Sequence, residues 1–262
     1  MLVVKPRIGV ITASVFLTVA VTFGHAALDK EDAVALWLLD DVAGGTTLDI
    51  SGNGLDGMIQ GAPDDIDGKF AGGLELAGGS GFLVEDVPEL NFDEESFSVT
   101  IWFQFDAAPD WGRLVRDRNP SPWGSGNAGW ELQTQGLQVH WSLDDVASTH
   151  MKNSYADAGN GEWRHTAMIV DRENDLLITY LDGIDRKEVD IEAIDSVTGP
   201  QPVTIGDGFP GMIDEIGIFN VALTEDDVIT IMESGLEAAV GGAAVEPEGK
   251  APVTWAAMKL RY

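Results

Sequence analysis

Short runs in which apolar and polar residues alternate recur along the chain from Val34 to Phe219. Gly, Asp, Asn and Pro, which favour turns, separate the runs. The clearest runs are residues 34–39, 98–105, 137–143, 164–170, 176–181 and 212–219. Such alternation is typical of half-buried β-strands, and no helical period of about 10 to 15 residues lies between the runs. The pattern therefore predicts an all-β sandwich or barrel and disfavours a fold of alternating strands and helices.

Two of these runs divide cleanly into an apolar and a polar face. In residues 98–105 the two faces are Val99, Ile101, Phe103 and Phe105 against Ser98, Thr100, Trp102 and Gln104. In residues 137–143 they are Leu137, Val139, Trp141 and Leu143 against Gln138, His140 and Ser142. Alternation of this kind places one face in the core and the other in water. We expect the two strands to belong to one sheet and to share a polar face.

Turn residues mark the connections between strands. Asp182-Gly183 and Gln135-Gly136 join neighbouring runs, and these residue types tolerate the positive φ that hairpin turns require. Residues 51–54, with the sequence SGNG, are similar to a phosphate-binding loop but lack its lysine and its following helix. We therefore interpret residues 51–54 as a turn.

One short helix is predicted near the end of the chain. Thr224 is a suitable N-cap for residues 225–233, the first turn is acidic, and Gly235 provides a stop. The apolar residues expected to pack on the sandwich are Val228, Ile231 and Met232. Residues 236–252 are rich in Ala and Gly and are interpreted as a linker. Residues 253–262 are either a sorting or docking tail or a frayed terminus.

The first 26 residues have the layout of a secretory signal. Lys5 and Arg7 precede an uncharged apolar run over residues 8–23, and small residues follow it. We expect cleavage near Ala27, with the mature protein secreted or associated with the cell envelope. An uncleaved membrane anchor is the alternative, although the run is shorter than the roughly 20 residues of a spanning helix. No other stretch is comparably apolar, so the sequence predicts no membrane insertion after cleavage.

The charge balance narrows the choice of partners. Asp and Glu number 44 against 15 Lys and Arg, a net charge of −29 at pH 7. This excess argues against nucleic acid and anionic membranes as partners, and it supplies oxygen ligands for a hard cation such as calcium. A solvated acidic surface explains the same residues without any cation. Since the chain has no Cys, no disulfide reinforces the core.

Four segments in order resemble the laminin-G-like jelly-roll domains of bacterial extracellular proteins, in the concanavalin A-like lectin/glucanase superfamily. They are residues 35–63 (ALWLLDD followed by TTLDISGNGLDGMIQGAP), 68–105 (GKFAGGLELAGGSGFLVE to SFSVTIWFQF), 162–183 (EWRHTAMIVDRENDLLITYLDG) and 211–228 (GMIDEIGIFNVALTEDDV). The resemblance implies a two-sheet antiparallel jelly-roll sandwich over residues 27–235 whose first and last strands pair, with one short C-terminal helix. It also implies that Trp102 and Trp163 belong to the framework.

Asp214 is the candidate for a metal ligand. It shares one side of its predicted strand with Met212, Ile216 and Ile218. A carboxylate that faces an apolar layer needs an arginine or a cation as partner. Because Ile213 and Phe219 make the other side apolar too, the sequence leaves the direction of Asp214 open. The resemblance implies a structural calcium bound by this aspartate and backbone carbonyls of the first strand. The candidate ligands carried over are Asp214, Asp40, Asp49 and Gly72.

The ligand-binding candidates combine the predicted polar face with aromatic loops. They are Thr100, Gln104, Trp111, Trp123, Gln138, His140 and Ser142. Hydroxyls, amides and an imidazole suit a carbohydrate, and a tryptophan ring stacks on the apolar side of a sugar. Trp111 and Trp123 lie in residues 106–160, where the chain departs most from the family outline. The alternative is a simply solvated face, with Trp123 fixing its own loop.

Catalytic motifs are absent from the sequence. Related jelly-roll glucanases carry two carboxylates on one strand as E-x-D-x-E or E-x-D-x-x-E, but Glu131 is the only acid in its predicted strand. The four His fit neither a nucleophilic triad nor a zinc site. We therefore predict a non-enzymatic module that binds a glycan or an extracellular protein. The alternatives are a structural or adhesive envelope component and, third, a degenerate glycoside hydrolase.

Overall fold

The computed structural model describes residues 28–106, 111–118, 128–147, 149–199 and 201–241. These residues form sixteen strands, two α-helices and the 3-10 turns Lys30–Asp32 and Pro88–Leu90. The strands are β1 (Ala33–Ala43), β2 (Thr46–Asp49), β3 (Gly57–Gln60), β4 (Asp64–Asp67), β5 (Gly72–Ala77), β6 (Gly81–Val84), β7 (Phe97–Gln104), β8 (Arg113–Arg118), β9 (Gly129–Gln135), β10 (Gln138–Asp144), β11 (His150–Tyr155), β12 (Arg164–Asp171), β13 (Leu176–Leu181), β14 (Asp185–Asp190), β15 (Val203–Ile205) and β16 (Pro210–Phe219). The helices are α1 (Glu225–Ser234) and α2 (Leu236–Val240). Each alternating run of the sequence corresponds to one of these strands.

The strands form two antiparallel sheets of eight strands each. Sheet I contains β4, β5, β1, β16, β7, β12, β13 and β14, and sheet II contains β11, β10, β9, β8, β15, β6, β3 and β2. Hydrogen bonding continues from one sheet into the other because β1 is long enough to pair with both β16 and β2. The two-sheet jelly-roll sandwich predicted from the sequence is confirmed.

The first and last strands pair at the centre of sheet I, as expected. Ala33 of β1 lies opposite Phe219 of β16, and the register continues to Trp37 and Ile216. The other edge of β16 pairs with β7, whereas its N-terminal half pairs with β5. Strand β16 therefore joins the N-terminal strands to the central strands of the same sheet.

The main core lies between the sheets and contains the inward residues of both. Trp37, Trp130 and Trp141 are at most 1% exposed. The indole of Trp37 donates to the carbonyl oxygen of Leu55 at 2.8 Å, and that of Trp141 donates to Thr166 Oγ1 at 2.9 Å. Burying large aromatic rings while satisfying the N–H groups of Trp37 and Trp141 stabilises a sandwich that has no disulfide.

A second apolar cluster lies on the outer face of sheet I, beneath the helices. Thr224 caps α1 through a capping box with Asp227, and Gly235 ends the helix with φ of +82°. Val228 and Ile231 of α1 are buried on the sheet, as predicted. No helix within the described ranges is long and apolar enough to cross a membrane.

The predicted linker is wrong at its start, because residues 236–240 form α2. Leu236, Ala239 and Val240 of α2 are buried in the second cluster. The carboxylate of Glu215 accepts the Leu236 amide at 2.6 Å and so satisfies a donor at the start of this helix. A segment that resembles a flexible linker in the sequence thus packs on the sheet through Leu236, Ala239 and Val240, and the domain extends beyond Gly235. Residues 1–27 and 242–262, with the predicted signal and tail, lie outside the described residues.

Candidate functional site

Strands β8 to β11 of sheet II carry a set of polar side chains on the outside of the sandwich. Their inward neighbours, such as Trp130, Leu132 and Trp141, belong to the main core. Because side chains alternate across a strand, the residues between them point outward. We call this outward set the polar face. It consists of Arg113, Arg116, Arg118, Glu131, Gln133, His140, Ser142, Asp144, His150 and Lys152.

The register of four strands brings these side chains side by side. Arg116 lies opposite Glu131, Glu131 opposite Ser142, and Ser142 opposite Lys152. The four residues form one straight row across β8, β9, β10 and β11. Residues paired across antiparallel strands have Cβ atoms about 5 Å apart, so the row is continuous. Arg116, Glu131 and Ser142 are at most 8% exposed, and Lys152 is the exposed member at the end of the row.

A buried ion-pair network lies at one end of the polar face. Arg118 donates from Nη1 to Glu131 Oε1 at 2.7 Å and from Nη2 to Asp144 Oδ1 at 3.1 Å. Asp144 Oδ1 also lies 3.0 Å from His150 Nδ1. The side chains of Glu131 and Asp144 are 7% and 5% exposed, so a single guanidinium balances two carboxylates out of water. The network fixes the neighbouring side chains because each member has a defined partner.

Some polar atoms of this face remain unsatisfied. Arg113 Nε, Arg118 Nε and Asp144 Oδ2 are buried and have no hydrogen-bond partner in the part of the chain that the structure describes. Buried donors and acceptors are nearly always paired, so unpaired ones at a surface indicate where a ligand or ordered water binds.

His140 and Trp111 form one border of the polar face. His140 is 3% exposed, and burial lowers its pKa to about 4, assisted by the positive charges of Lys152 and His150. The imidazole is therefore neutral at physiological pH and is able both to donate and to accept. Trp111 packs edge-on against His140, with ring centroids 6.2 Å apart, and Trp111 remains 38% exposed. Trp111 has φ of +72°, a strained conformation for a bulky residue and one that recurs at functional sites.

The structure brings together four of the seven predicted ligand-binding residues. His140 and Ser142 lie on the polar face, Gln138 extends it at the start of β10, and Trp111 borders it. Trp123 lies outside the described residues.

Thr100 and Gln104 lie elsewhere, on the outer face of sheet I. Thr100 is fully buried, beside Gly217 and Ala167 in the ladder, and Gln104 donates to the Gly161 carbonyl at 2.7 Å. The prediction that residues 98–105 and 137–143 share a face is therefore wrong. Their strands, β7 and β10, belong to different sheets whose outer faces point in opposite directions. Alternation identifies the polar side of each strand but does not assign the strand to a sheet.

Asp214 lies on the outer face of sheet I rather than towards the main core. It pairs with Trp102, whereas its neighbour Ile213 pairs with Phe103 in the core. A bulge follows, with Glu215 at φ of +43°, so that Ile216 again faces inward. The extra residue reverses the alternation, and Asp214 therefore does not share a side with Ile216 and Ile218 as the sequence pattern suggested.

Three of the four predicted metal ligands lie together. Asp214 Oδ2 accepts the Phe70 amide at 2.9 Å, and Asp40 Oδ1 accepts the Gly72 amide at 2.7 Å. A methyl group added to Gly68 would lie 2.0 Å from the Gly72 carbonyl oxygen and 2.6 Å from Asp214 Oδ2, so these two oxygens approach each other across Gly68.

Asp49 does not join this group. Its carboxylate accepts hydrogen bonds from the amides of Leu36, Ser51 and Leu55 and from the Ser51 hydroxyl. Gly52 and Gly54 have positive φ, which confirms the turn predicted over residues 51–54. Asp49 therefore fixes this turn against β1 and has no oxygen free of protein donors.

Asp214 is buried without a charged partner. Its Oδ1 atom has no hydrogen-bond partner among the described residues. Burial raises the pKa of Asp214 to about 7 despite the Phe70 amide, and the nearby Glu215 raises it further. Burial also raises the pKa of Glu215 to about 7, with a contribution from Asp40. A cation beside these carboxylates would favour their ionised forms.

Three residues with left-handed backbone surround Asp214. Leu39, Ala71 and Glu215 have φ of +61°, +43° and +43°. Each adjoins one member of the predicted ligand set, namely Asp40, Gly72 or Asp214. No three His, Asp or Glu side chains in the described ranges converge as metal ligands, so carbonyl oxygens would have to complete the coordination of any ion here.

The fold and the polar face together define an antiparallel jelly-roll sandwich of the lectin-like class. The Laminin_G_3 family model, described as the concanavalin A-like lectin/glucanases superfamily, matches residues 77–229. The chain therefore belongs to this family, as its sequence motifs suggested. No curated protein sequence matches the chain.

Several solved structures with a similar fold are toxin binding domains. The binding domain of Paraclostridial Mosquitocidal Protein 1 superposes with a TM-score of 0.65 at 17% identity, over 78% of this chain and 52% of that chain. The botulinum neurotoxin serotype D binding domain gives 0.65 at 15% identity, over 78% and 52%. The serotype D ligand-binding domain in complex with N-acetylneuraminic acid gives 0.62 at 16% identity, over 78% and 51%. The present chain thus spans about half the length of these domains, and the likeness concerns the fold.

Proposed function

We propose that this protein is a non-catalytic carbohydrate-binding module of the cell exterior, and that the polar face is its ligand surface. The observation that carries the proposal is the polar face on the outside of sheet II, where Arg113, His150 and Lys152 remain accessible around a buried row and Trp111 at the border is 38% exposed. Carbohydrate sites combine directional polar groups with an aromatic platform. The family description covers lectins and glucanases, both of which bind carbohydrate, and one structural neighbour is a complex with the sugar N-acetylneuraminic acid.

The chemistry of the polar face favours binding over hydrolysis. Hydrolysis of a glycoside requires two carboxyl groups that both face the substrate, one as acid and one as base or nucleophile. Here Arg118 donates to one oxygen of Glu131 and one of Asp144, and the two side chains are only 7% and 5% exposed, so they are not presented to a substrate as such a pair must be. The carboxylates therefore orient an arginine rather than a sugar.

Replacing Trp111 by Ala should weaken glycan binding about tenfold or more, since an exposed aromatic anchor contributes on the order of 2 kcal/mol at a binding site. A glycan array identifies the ligands, and calorimetry then measures the dissociation constant of the wild type and the variant. Ile184→Ala is the matched control because Ile184 is 86% exposed and follows β13 in sheet I.

Equal loss of affinity in both variants would contradict the assignment of the site. Absence of binding to every glycan on the array would refute the carbohydrate proposal. That result would favour an extracellular protein ligand or a structural role in the envelope.

We further propose a structural calcium ion at Asp214. The supporting observation is the orphaned, buried Oδ1 atom of Asp214 beside a second carboxylate and close to backbone carbonyl oxygens. Calcium accepts six to eight oxygen ligands of mixed type, so this donor set suits it. Asp214 and Asp40 would hold the ion with the carbonyl oxygens of Leu39 and Gly72. The bound ion would supply positive charge where the segments that contain Leu39, Ala71 and Glu215 meet.

Calcium should raise the unfolding midpoint of the wild type and leave that of Asp214→Asn unchanged. A ligand present at 100 times its dissociation constant stabilises the folded state by about 2.7 kcal/mol. Thermal unfolding with calcium and with a chelator measures the effect. Asp65→Asn is the control because Asp65 is an exposed carboxylate of the edge strand β4. A midpoint of the wild type that ignores calcium would rule the ion out.

A further inference from the structure

Positive charge is scarce in this protein and is concentrated on the polar face. The chain carries 44 acidic and 15 basic residues. The ten Lys and Arg of the described residues are Lys30, Lys69, Arg113, Arg116, Arg118, Lys152, Arg164, Arg172, Arg186 and Lys187. Four of the ten lie on this face, together with His140 and His150. In a protein with a net charge of −29, four of the ten described Lys and Arg thus share one face of four strands.

The acids of the polar face leave two of these cations unpaired. Arg118 is balanced by Glu131 and Asp144, and Arg116 pairs at 3.0 Å with Asp207, whose side chain is half exposed. Arg113 and Lys152 make no ion pair within the part of the chain described here. Arg113 is partly buried, its Nε atom is without a partner, and its charge acts on the neighbouring Arg116. A partly buried guanidinium without a counter-charge is a suitable receptor for an anion.

We propose that the polar face binds an anionic polysaccharide, whose carboxylate or sulfate groups contact Arg113 and Lys152. This inference rests on the proposed function and narrows its ligand class. The planar fork of an arginine matches the two oxygens of a carboxylate or sulfate, whereas lysine acts as a point charge. Both side chains are free to serve in this way because no protein carboxylate holds them.

The arrangement of the face requires an oligomer rather than a single sugar. Lys152 on β11 and Arg113 on β8 are three strands apart, a span of at least about 14 Å across the strands. A single sugar does not reach both cations. Ser142 and His140 of β10 are 0% and 3% exposed, so the sugar chain would contact the accessible rim of the face, where Trp111 provides a stacking surface.

The net negative charge of the protein does not prevent this contact. Screening reduces interactions between charges farther apart than about 8 Å at physiological ionic strength. Most of the acidic residues lie on other surfaces and act through solvent, whereas a carboxylate held by Arg113 is in direct contact. The excess of acid repels long polyanions such as nucleic acid along the rest of their length. The cations of the polar face together with the negative charge of the rest of the protein therefore favour anionic sugars of limited charge density.

The test measures binding of the full chain to three oligosaccharides of equal length at about 0.15 M salt. The probes are oligogalacturonate, a sulfated galactan and a neutral galactan. We expect the wild type to bind one of the two charged probes and to bind the neutral probe at least tenfold more weakly. Arg113→Gln and Lys152→Gln should each reduce binding to the charged probe about tenfold, because each removes a charge-assisted contact. Lys30→Gln is the control, since Lys30 is exposed in the first 3-10 turn, away from the face.

The outcomes separate this inference from the proposed function. Preference for the carboxylated or the sulfated probe supports the inference and identifies the anion. Equal binding of charged and neutral probes overturns the inference but leaves a carbohydrate-binding module. Binding that is unaffected by Arg113→Gln and Lys152→Gln overturns the assignment to this face. Absence of all binding overturns both proposals.

Discussion

Arg118→Met should lower the free energy of unfolding by about 3–5 kcal/mol. The substitution removes the guanidinium that contacts both Glu131 and Asp144 and leaves two buried carboxylates without that partner. Breaking a buried ion pair from one side is costly because the remaining charge has lost its water as well as its counter-charge. Urea-induced unfolding at pH 7, followed by tryptophan fluorescence, measures the change.

Two further variants distinguish charge burial from loss of packing. Arg116→Met removes a neighbouring arginine whose partner Asp207 is half exposed, and it should cost about 1 kcal/mol or less through the ion pair. Combining Arg118→Met with Glu131→Gln and Asp144→Asn removes all three charges and should recover most of the lost stability. If Arg118→Met is no more harmful than Arg116→Met, the network does not organise the polar face.

Much of the fold could be predicted from local features of the sequence. Alternation revealed the main strands, and the Asp182 and Gly136 turns have the positive φ values expected of hairpins. Thr224 and Gly235 bound α1 as their residue types predict. These features succeed because strand periodicity, turn conformation and helix capping depend on a few consecutive residues. The family motifs then supplied the arrangement of strands, including the pairing of β1 with β16.

The parts that sequence analysis missed depend on long-range pairing. A single bulge at Glu215 turns Asp214 to the outer face, and no pattern within residues 212–219 reveals that extra residue. Strand β8 was not predicted because a bulge between Arg113 and Val115 interrupts its alternation. In the sequence, Arg116 and Arg118 are two residues apart, and this spacing was the signal that they share the outward face of one strand. The partners of Arg118, namely Glu131 and Asp144, come from the next two strands, so the network emerges only once the sheet is formed.

His165 should make the folded state sensitive to acid. It is fully buried beside Trp102, with ring centroids 5.2 Å apart, and neither ring nitrogen has a hydrogen-bond partner among the described residues. Burial lowers the pKa of His165 from 6.5 to about 3. Between these values the unfolded chain binds a proton that the folded chain does not. The contribution of the neutral His165 to the free energy of unfolding is therefore fully present above about pH 6.5 and is lost as the pH falls towards 3.

The loss attributable to His165 is about 2 kcal/mol between pH 7.5 and pH 5, because each pKa unit corresponds to about 1.4 kcal/mol. His165→Leu removes the titrating group and, since the ring makes no hydrogen bond, should cost under about 1.5 kcal/mol at pH 7.5. Urea unfolding should show that the free energy of unfolding falls between pH 7.5 and pH 5 by about 2 kcal/mol less in His165→Leu than in the wild type. Ile169→Val, a nearby substitution without a titrating group, should lower stability equally at both pH values. An unchanged acid loss in His165→Leu would mean that His140 or the carboxylates dominate the acid response and that the buried imidazole is protonated more readily than its surroundings imply.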